Sequence, residues 1–141
     1  MKDKFKETLS NIFSYLLKVE RRTLLWTNPS PTSDFGTQPI SLDASAYDEL
    51  EIYYTDYNAH NDIMPVLRVS VGQAGSMNTF FGGSTYDSGV VYVANRRFVV
   101  TSTYVSFGNG NGSVPNNGWS TRNDMCIPQK IYGIKLGGGT P

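Results

Sequence analysis

Residues 89–107 read Gly89-Val90-Val91-Tyr92-Val93-Ala94-Asn95-Arg96-Arg97-Phe98-Val99-Val100-Thr101-Ser102-Thr103-Tyr104-Val105-Ser106-Phe107. Two runs rich in Val, Tyr, Phe and Thr flank Asn95-Arg96, a composition that suits half-buried pleated strands. The pattern predicts strands over Gly89–Ala94 and Phe98–Phe107 joined by a hairpin at Asn95-Arg96. On that reading Arg96-Arg97, the only basic pair after residue 22, is a solvated hairpin end.

The same texture extends in both directions. Further strands are expected at Thr23–Thr27, Gln38–Leu42, Leu50–Thr55, Val66–Gly72, Asn78–Phe81 and Lys130–Leu136, separated by Gly, Pro, Asn, Asp and Ser clusters. Asn28-Pro29-Ser30-Pro31 stops the first of them, because Pro removes a donor and restrains the residue before it. Short strands at this spacing, with no helix among them, predict a mainly β fold: an antiparallel β-sandwich or jelly-roll-like head. Gly108 to Asp124 reads as one long loop rich in Gly, Asn and Ser.

Upstream the periodicity changes. Phe5, Leu9, Ile12, Leu16 and Val19 are spaced 4-3-4-3, the rhythm of a coiled-coil seam. Lys2 to about Arg22 has no Pro or Gly and predicts one α-helix. The chain therefore divides into an N-terminal helix (1–22), a β head (23–136) and a flexible Gly-rich tail (137–141). The seam predicts self-association into a parallel bundle, with three copies expected because Phe13 and Leu17 widen the stripe. The alternatives are a single helix lying on its own β domain and a membrane-surface helix. Roughly two and a half heptads hold a bundle only with help from the heads.

Charge narrows the function classes. Of 12 Lys/Arg and 12 Asp/Glu, residues 1–22 carry six basic against three acidic, and residues 23–141 carry six against nine. A mildly acidic head lacks the clustered cations that phosphate binding needs, which argues against nucleic acid. The single Cys126 excludes a disulfide within the chain and zinc sites built on several cysteines, and a buried inert thiol is expected. No stretch approaches the roughly 20 apolar residues of a membrane span. The N-terminus lacks the apolar run of a signal peptide, so folding in a reducing cytoplasm is expected.

Candidate chemistry is sparse. On a strand, Glu49 and Glu51 share a face with Cα atoms about 6.6 Å apart, a separation glycosidase carboxylates tolerate; such neighbours are ordinarily a strand's solvent side. His60 with Asp56, Asn58 and Asp62 reads as a hydrated turn, with one imidazole too few for a transition-metal site and no closing Glu for a calcium loop. The Gly108–Gly112 run opens no helix and is no dinucleotide motif. No catalytic residue, metal or cofactor is assigned. The ligand-binding candidates are Trp119 with Asn116, Asn117, Arg122 and Asp124: an aromatic platform for a sugar's C–H face, with amide and charged groups for its hydroxyls.

Three stretches carry a family resemblance. Thr23-Leu24-Leu25-Trp26-Thr27-Asn28-Pro29-Ser30-Pro31-Thr32-Ser33 is followed by Phe35 and Gln38-Pro39-Ile40-Ser41-Leu42. Tyr47-Asp48-Glu49-Leu50-Glu51-Ile52 and Ile127-Pro128-Gln129-Lys130-Ile131-Tyr132-Gly133-Ile134-Lys135 complete it. Over about Thr23 to Leu136 the chain resembles the C-terminal β domains of tail-fibre and minor structural proteins of phages and prophages. The resemblance implies a virion component, often a homotrimer, that contacts other virion proteins and host cell-surface polysaccharide. The expected function is a non-enzymatic fibre tip binding a host-surface glycan or receptor. The alternatives are a purely architectural capsid or tail decoration that binds nothing, and a cell-wall glycan hydrolase.

Overall fold

The computed structural model describes residues 2–18, 20–55, 66–71, 79–87, 89–114 and 118–137. One helix, α1 (Lys2–Lys18), precedes nine strands: β1 (Arg21–Thr27), β2 (Gln38–Ser41), β3 (Glu49–Tyr54), β4 (Val66–Ser70), β5 (Thr79–Asp87), β6 (Val90–Val100), β7 (Tyr104–Val114), β8 (Gly118–Thr121) and β9 (Pro128–Lys135). The helix ends four residues earlier than expected, because Arg21 and Arg22 already pair with Lys135 and Ile134 of β9.

The strands form two antiparallel sheets, so the protein is a β-sandwich preceded by one helix. The first has the order β1-β9-β3-β4; the second runs β2-β7-β6-β5. β8 continues the line of β2, because Gln38–Ser41 pair with Tyr104–Phe107 of β7 while Gly118–Thr121 pair with Asn111–Val114. β1 and β2 are therefore edge strands, one in each sheet, joined by residues 28–37. Inward-facing Leu50, Ile52 and Ile131 of the first sheet face Phe98, Val105 and Phe107 of the second, all buried. Met125, Cys126 and Ile127 close the core, and Cys126 is buried as expected.

Two sequence readings are overturned. No hairpin forms at Asn95-Arg96: β6 runs unbroken through it, and the chain reverses at Thr101–Thr103. There the Thr101 hydroxyl accepts hydrogen bonds from the amides of Thr103 and Tyr104, a side chain standing in for a turn's backbone acceptor. Arg96 is not a solvated end but fully buried. The long loop from Gly108 to Asp124 is also absent as such, since most of it is β7 and β8. Its glycines are a packing requirement: a Cβ on Gly110 would lie 2.2 Å from the Arg122 carbonyl oxygen and 2.8 Å from the Arg96 guanidinium. Only a glycine strand lets the 122–126 segment close over it.

Candidate functional site

Four regions bear on function, three of them expected from the sequence. The first is α1. Phe5 is 67% exposed, Ile12, Phe13 and Tyr15 are exposed, and Leu9 is 37% exposed. Among the described side chains the apolar edge of the helix is thus uncovered within the single chain, which disfavours the alternative of a helix lying on its own β domain. Leu16 is helical, but its side chain, and the whole of Val19, lie outside the described residues.

The second region is the outer face of the first sheet. Register places Leu24, Tyr132, Glu51 and Arg68 in one row across β1, β9, β3 and β4, with Arg22, Ile134 and Glu49 in the next. The two carboxylates do share a face, yet Glu51 is only 8% exposed. It accepts from Arg68 Nη2 at 3.0 Å and from the Tyr53 hydroxyl at 2.9 Å, and lies 2.8 Å from Arg22 Nη2. Arg22 in turn stacks over the Tyr132 ring at 3.7 Å. Arg68 also grips Glu20 with two bonds of 2.8 Å, so the junction between α1 and β1 is tied across the sheet to its far edge. Burial alone would raise the Glu51 pKa, but the hydrogen bonds from Arg68 and Tyr53 and the charges of Arg22 and Arg68 outweigh it and hold it below 4.5. A carboxylate so occupied serves structure, and it is not the solvated strand face expected. His60, Asp56, Asn58 and Asp62 lie outside the described residues.

The third region is the expected ligand set. Trp119 stands 54% exposed on β8, opposite Ser113. Arg122 and Asp124 turn to each other, Nε donating to Oδ1 at 2.9 Å with Nη2 on Oδ2, and this pairing holds the Asp124 pKa below its usual range. Asn116 and Asn117 lie outside the described residues. Of the described members of the set, Trp119 is an exposed indole, while Arg122 and Asp124 engage each other.

The fourth region has no forerunner among the expected site residues. Between the edge strands β1 and β2 lies a cleft of about 370 Å³, whose lining includes Trp26, Pro29, Ser33, Asp34, Gln38 and Ile40. A β-bulge opens it: register shifts between Leu24 and Trp26, so Leu25 is an extra residue and Trp26 comes to lie opposite inward-facing Ile131. The indole stands edge-on to Phe35 at 6.2 Å, and Phe35 edge-on to Phe107 at 5.6 Å. Asn28 fixes the loop from below, its amide donating to the Pro128 carbonyl at 2.8 Å while its Oδ1 accepts from the Ser30 amide at 2.9 Å.

Arg96 fixes the same wall from behind. Nε donates to Cys126 O, Nη1 to Phe35 O and Gly108 O, and Nη2 to Asn123 O and Met125 O, at 2.6–3.3 Å. All five guanidinium donors are thus satisfied by backbone carbonyls. Burial pulls the Arg96 pKa down to about 10, which leaves it charged at neutral pH.

Comparison with protein-family models, with curated proteins and with solved structures finds no match. Among the described residues no group of three His, Cys, Asp or Glu side chains is placed to hold a metal ion, and no helix is long and apolar enough to cross a membrane.

Proposed function

We propose that this chain is a non-enzymatic display protein of a phage virion: copies joined through α1, three being the expected number, present their β-sandwich heads as a fibre tip that binds a host-surface glycan. The observation that carries this reading is the uncovered apolar edge of α1, none of whose described side chains joins the buried β core. An edge of Phe5, Leu9 and Ile12 left in water forfeits about 1.5–3 kcal/mol for each side chain that a partner would bury. Sister helices are the simplest cover, because a heptad seam is self-complementary. The virion setting rests on the resemblance of residues 23–136 to phage tail-fibre and minor structural proteins. Folding in the host cytoplasm belongs to the same reading.

The locked state of Glu51 supports a non-catalytic head, since a pKa held low and three neighbouring groups, Arg22, Arg68 and Tyr53, leave it little scope as a general acid. The self-pairing of Arg122 with Asp124 favours the architectural alternative to the extent that glycan contact depended on those two groups. Multi-angle light scattering of the intact protein tests assembly. Three times the chain mass of 15.6 kDa is expected, and a single mass at micromolar concentration refutes it. Adsorption of the assembled protein to host cells or wall polysaccharide separates attachment from architecture, and loss of polysaccharide mass on incubation would instead reveal a hydrolase.

A further inference from the structure

We infer that the cleft between β1 and β2 is a binding site for one or two rings of an uncharged saccharide, with Trp26 as the platform and Asp34 and Gln38 as the hydroxyl partners. This deepens the display reading above and rests on it.

Shape is the first argument. At about 370 Å³ the cleft falls at the small end of the 300–1,000 Å³ typical of ligand sites, which suits a mono- or disaccharide and not a long extended chain. Its walls are held before any ligand arrives. Asn28 is bonded on both sides, Gln129 donates to the Pro31 carbonyl at 2.9 Å, and Arg96 holds the Phe35 carbonyl at 2.6 Å. A preformed wall spares the ordering cost that weakens flexible sites.

Chemistry is the second. Trp26, Pro29 and Ile40 supply apolar surface, while Ser33, Asp34 and Gln38 supply a hydroxyl, a carboxylate and an amide. Among the described residues no hydrogen bond engages the Asp34 carboxylate or the Gln38 amide, whereas the Asn28 amide is bonded through both its nitrogen and its oxygen. Hydroxyl groups flanking a C–H face match this mixture. Among the described residues no Lys or Arg lines the cleft, and the charge on its lining, that of Asp34, is negative. Uronic acids, sialic acids and phosphate-bearing polymers are therefore disfavoured, because their charge would meet Asp34 without a cation.

Position is the third. β1 leaves the helix junction at Arg21 and reaches Thr27, so Trp26 stands roughly 16–17 Å along the strand from that junction. A stem formed by α1 leaves the cleft at the end of β1 away from it. Several equivalent clefts in one assembly turn weak single contacts into firm attachment.

The test uses the full chain. The protein has two tryptophans, so Trp119→Phe leaves Trp26 as the sole indole and Trp26→Phe leaves Trp119. Emission is followed during titration with glucose, galactose, N-acetylglucosamine and their disaccharides, with glucuronate, inorganic phosphate and an oligolysine peptide alongside. At least one neutral sugar should shift Trp26 saturably while glucuronate and phosphate do not. Asp34→Asn with Gln38→Ala, both at the surface, should weaken that sugar about tenfold or more, the loss of about 1.4 kcal/mol of hydrogen bonding, with the circular dichroism spectrum unchanged. The inference is overturned if no sugar moves Trp26, if only Trp119 responds, if glucuronate binds as well, or if only the peptide binds. Should the assembled protein adsorb to cells while Trp26 stays silent, the cleft assignment falls and the display reading stands; a monomer that adsorbs nothing removes both.

Discussion

Arg96 Nε donates to the carbonyl oxygen of Cys126 at 2.8 Å, and Cys126 holds a backbone φ of +50°, a left-handed conformation rare outside glycine. A buried cation on a central strand thus grips a segment that would otherwise prefer another path. Met125, Cys126 and Asn123 are all held by the same side chain, and through Phe35 it also sets the aromatic wall of the cleft.

Arg96→Met removes five donors and leaves their carbonyls buried without partners; Arg96→Lys retains charge but offers at most three donors from a different point. Loss of about 3–5 kcal/mol is expected for the Met variant, with partial recovery by Lys. Urea unfolding followed by tryptophan fluorescence measures both. The Cys126 thiol supplies a second readout, unreactive toward a thiol reagent in the native wild type and exposed in the variant at lower urea. Wild-type stability in Arg96→Met would show that the carbonyls find water instead.

Glu51 makes stability depend on acid. Its folded pKa lies below the ordinary 4.5, so it binds its proton less readily in the native state than in the unfolded chain. Its contribution is complete above about pH 4.5 and is lost as pH falls through the folded value. Asp48, held low by the Leu136 amide and by Lys135, acts in the same direction, as does Asp124. Glu51→Gln should lower stability at pH 7 by about 1–2 kcal/mol and flatten the decline below pH 4.5, since charge-assisted hydrogen bonds to Arg22 and Arg68 are weakened. Urea midpoints at pH 7, 5 and 3 check this. Parallel curves for variant and wild type would exclude Glu51 as the titrating group.

The glycines separate by mechanism. At Gly110 an added methyl meets the Arg122 carbonyl oxygen at 2.2 Å and the Met125 carbonyl oxygen at 2.8 Å; the first cannot withdraw without releasing the Met125 amide, nor the second without releasing Arg96. Gly110→Ala should cost about 3 kcal/mol or more. Gly89 has nothing within 4 Å but a φ of +85°, so Gly89→Ala should cost only about 1–2 kcal/mol, from backbone strain alone. Thermal unfolding of the two variants orders them, and the reverse order would mean that β7 yields where it meets the 122–126 segment.

Much of the fold was legible because period-2 alternation and turn residues report directly on strands. β1, β2, β3 and β9 lie within a residue or two of their expected positions, and α1 follows its heptads. The two misread turns share one cause. At Asn95-Arg96 and at Gly108–Gly112, local propensity says turn, whereas the tertiary structure uses Arg96 as an internal hydrogen-bonding hub and the glycines as clearance for the segment it holds. A buried arginine satisfied only by carbonyls of distant residues leaves no mark in its neighbours. The cleft was hidden for a similar reason. Trp26 read as one more apolar strand residue, and the bulge at Leu25 that turns it inward depends on pairing with Ile131, more than a hundred residues away.

The apolar edge of α1 gives the last prediction. Leu9 is the least exposed of the stripe's described side chains yet lies against no core cluster of its own chain, and Leu16 follows it at heptad spacing. Placing carboxylates at both positions puts charges where sister helices would meet, at a cost no short bundle of about two and a half heptads can absorb. Leu9→Asp with Leu16→Asp should therefore convert the oligomer to monomer in light scattering. The near-ultraviolet circular dichroism of the head should not change, because the buried cluster around Leu50, Phe98 and Phe107 contains none of the described side chains of α1. Arg68→Ala gives the complementary case, releasing Glu20 and so loosening the junction while leaving the seam intact. It should keep the oligomeric mass and increase proteolytic cleavage near residue 20. A double-Asp variant of unchanged mass would mean that the heads, and not the helices, hold the copies together.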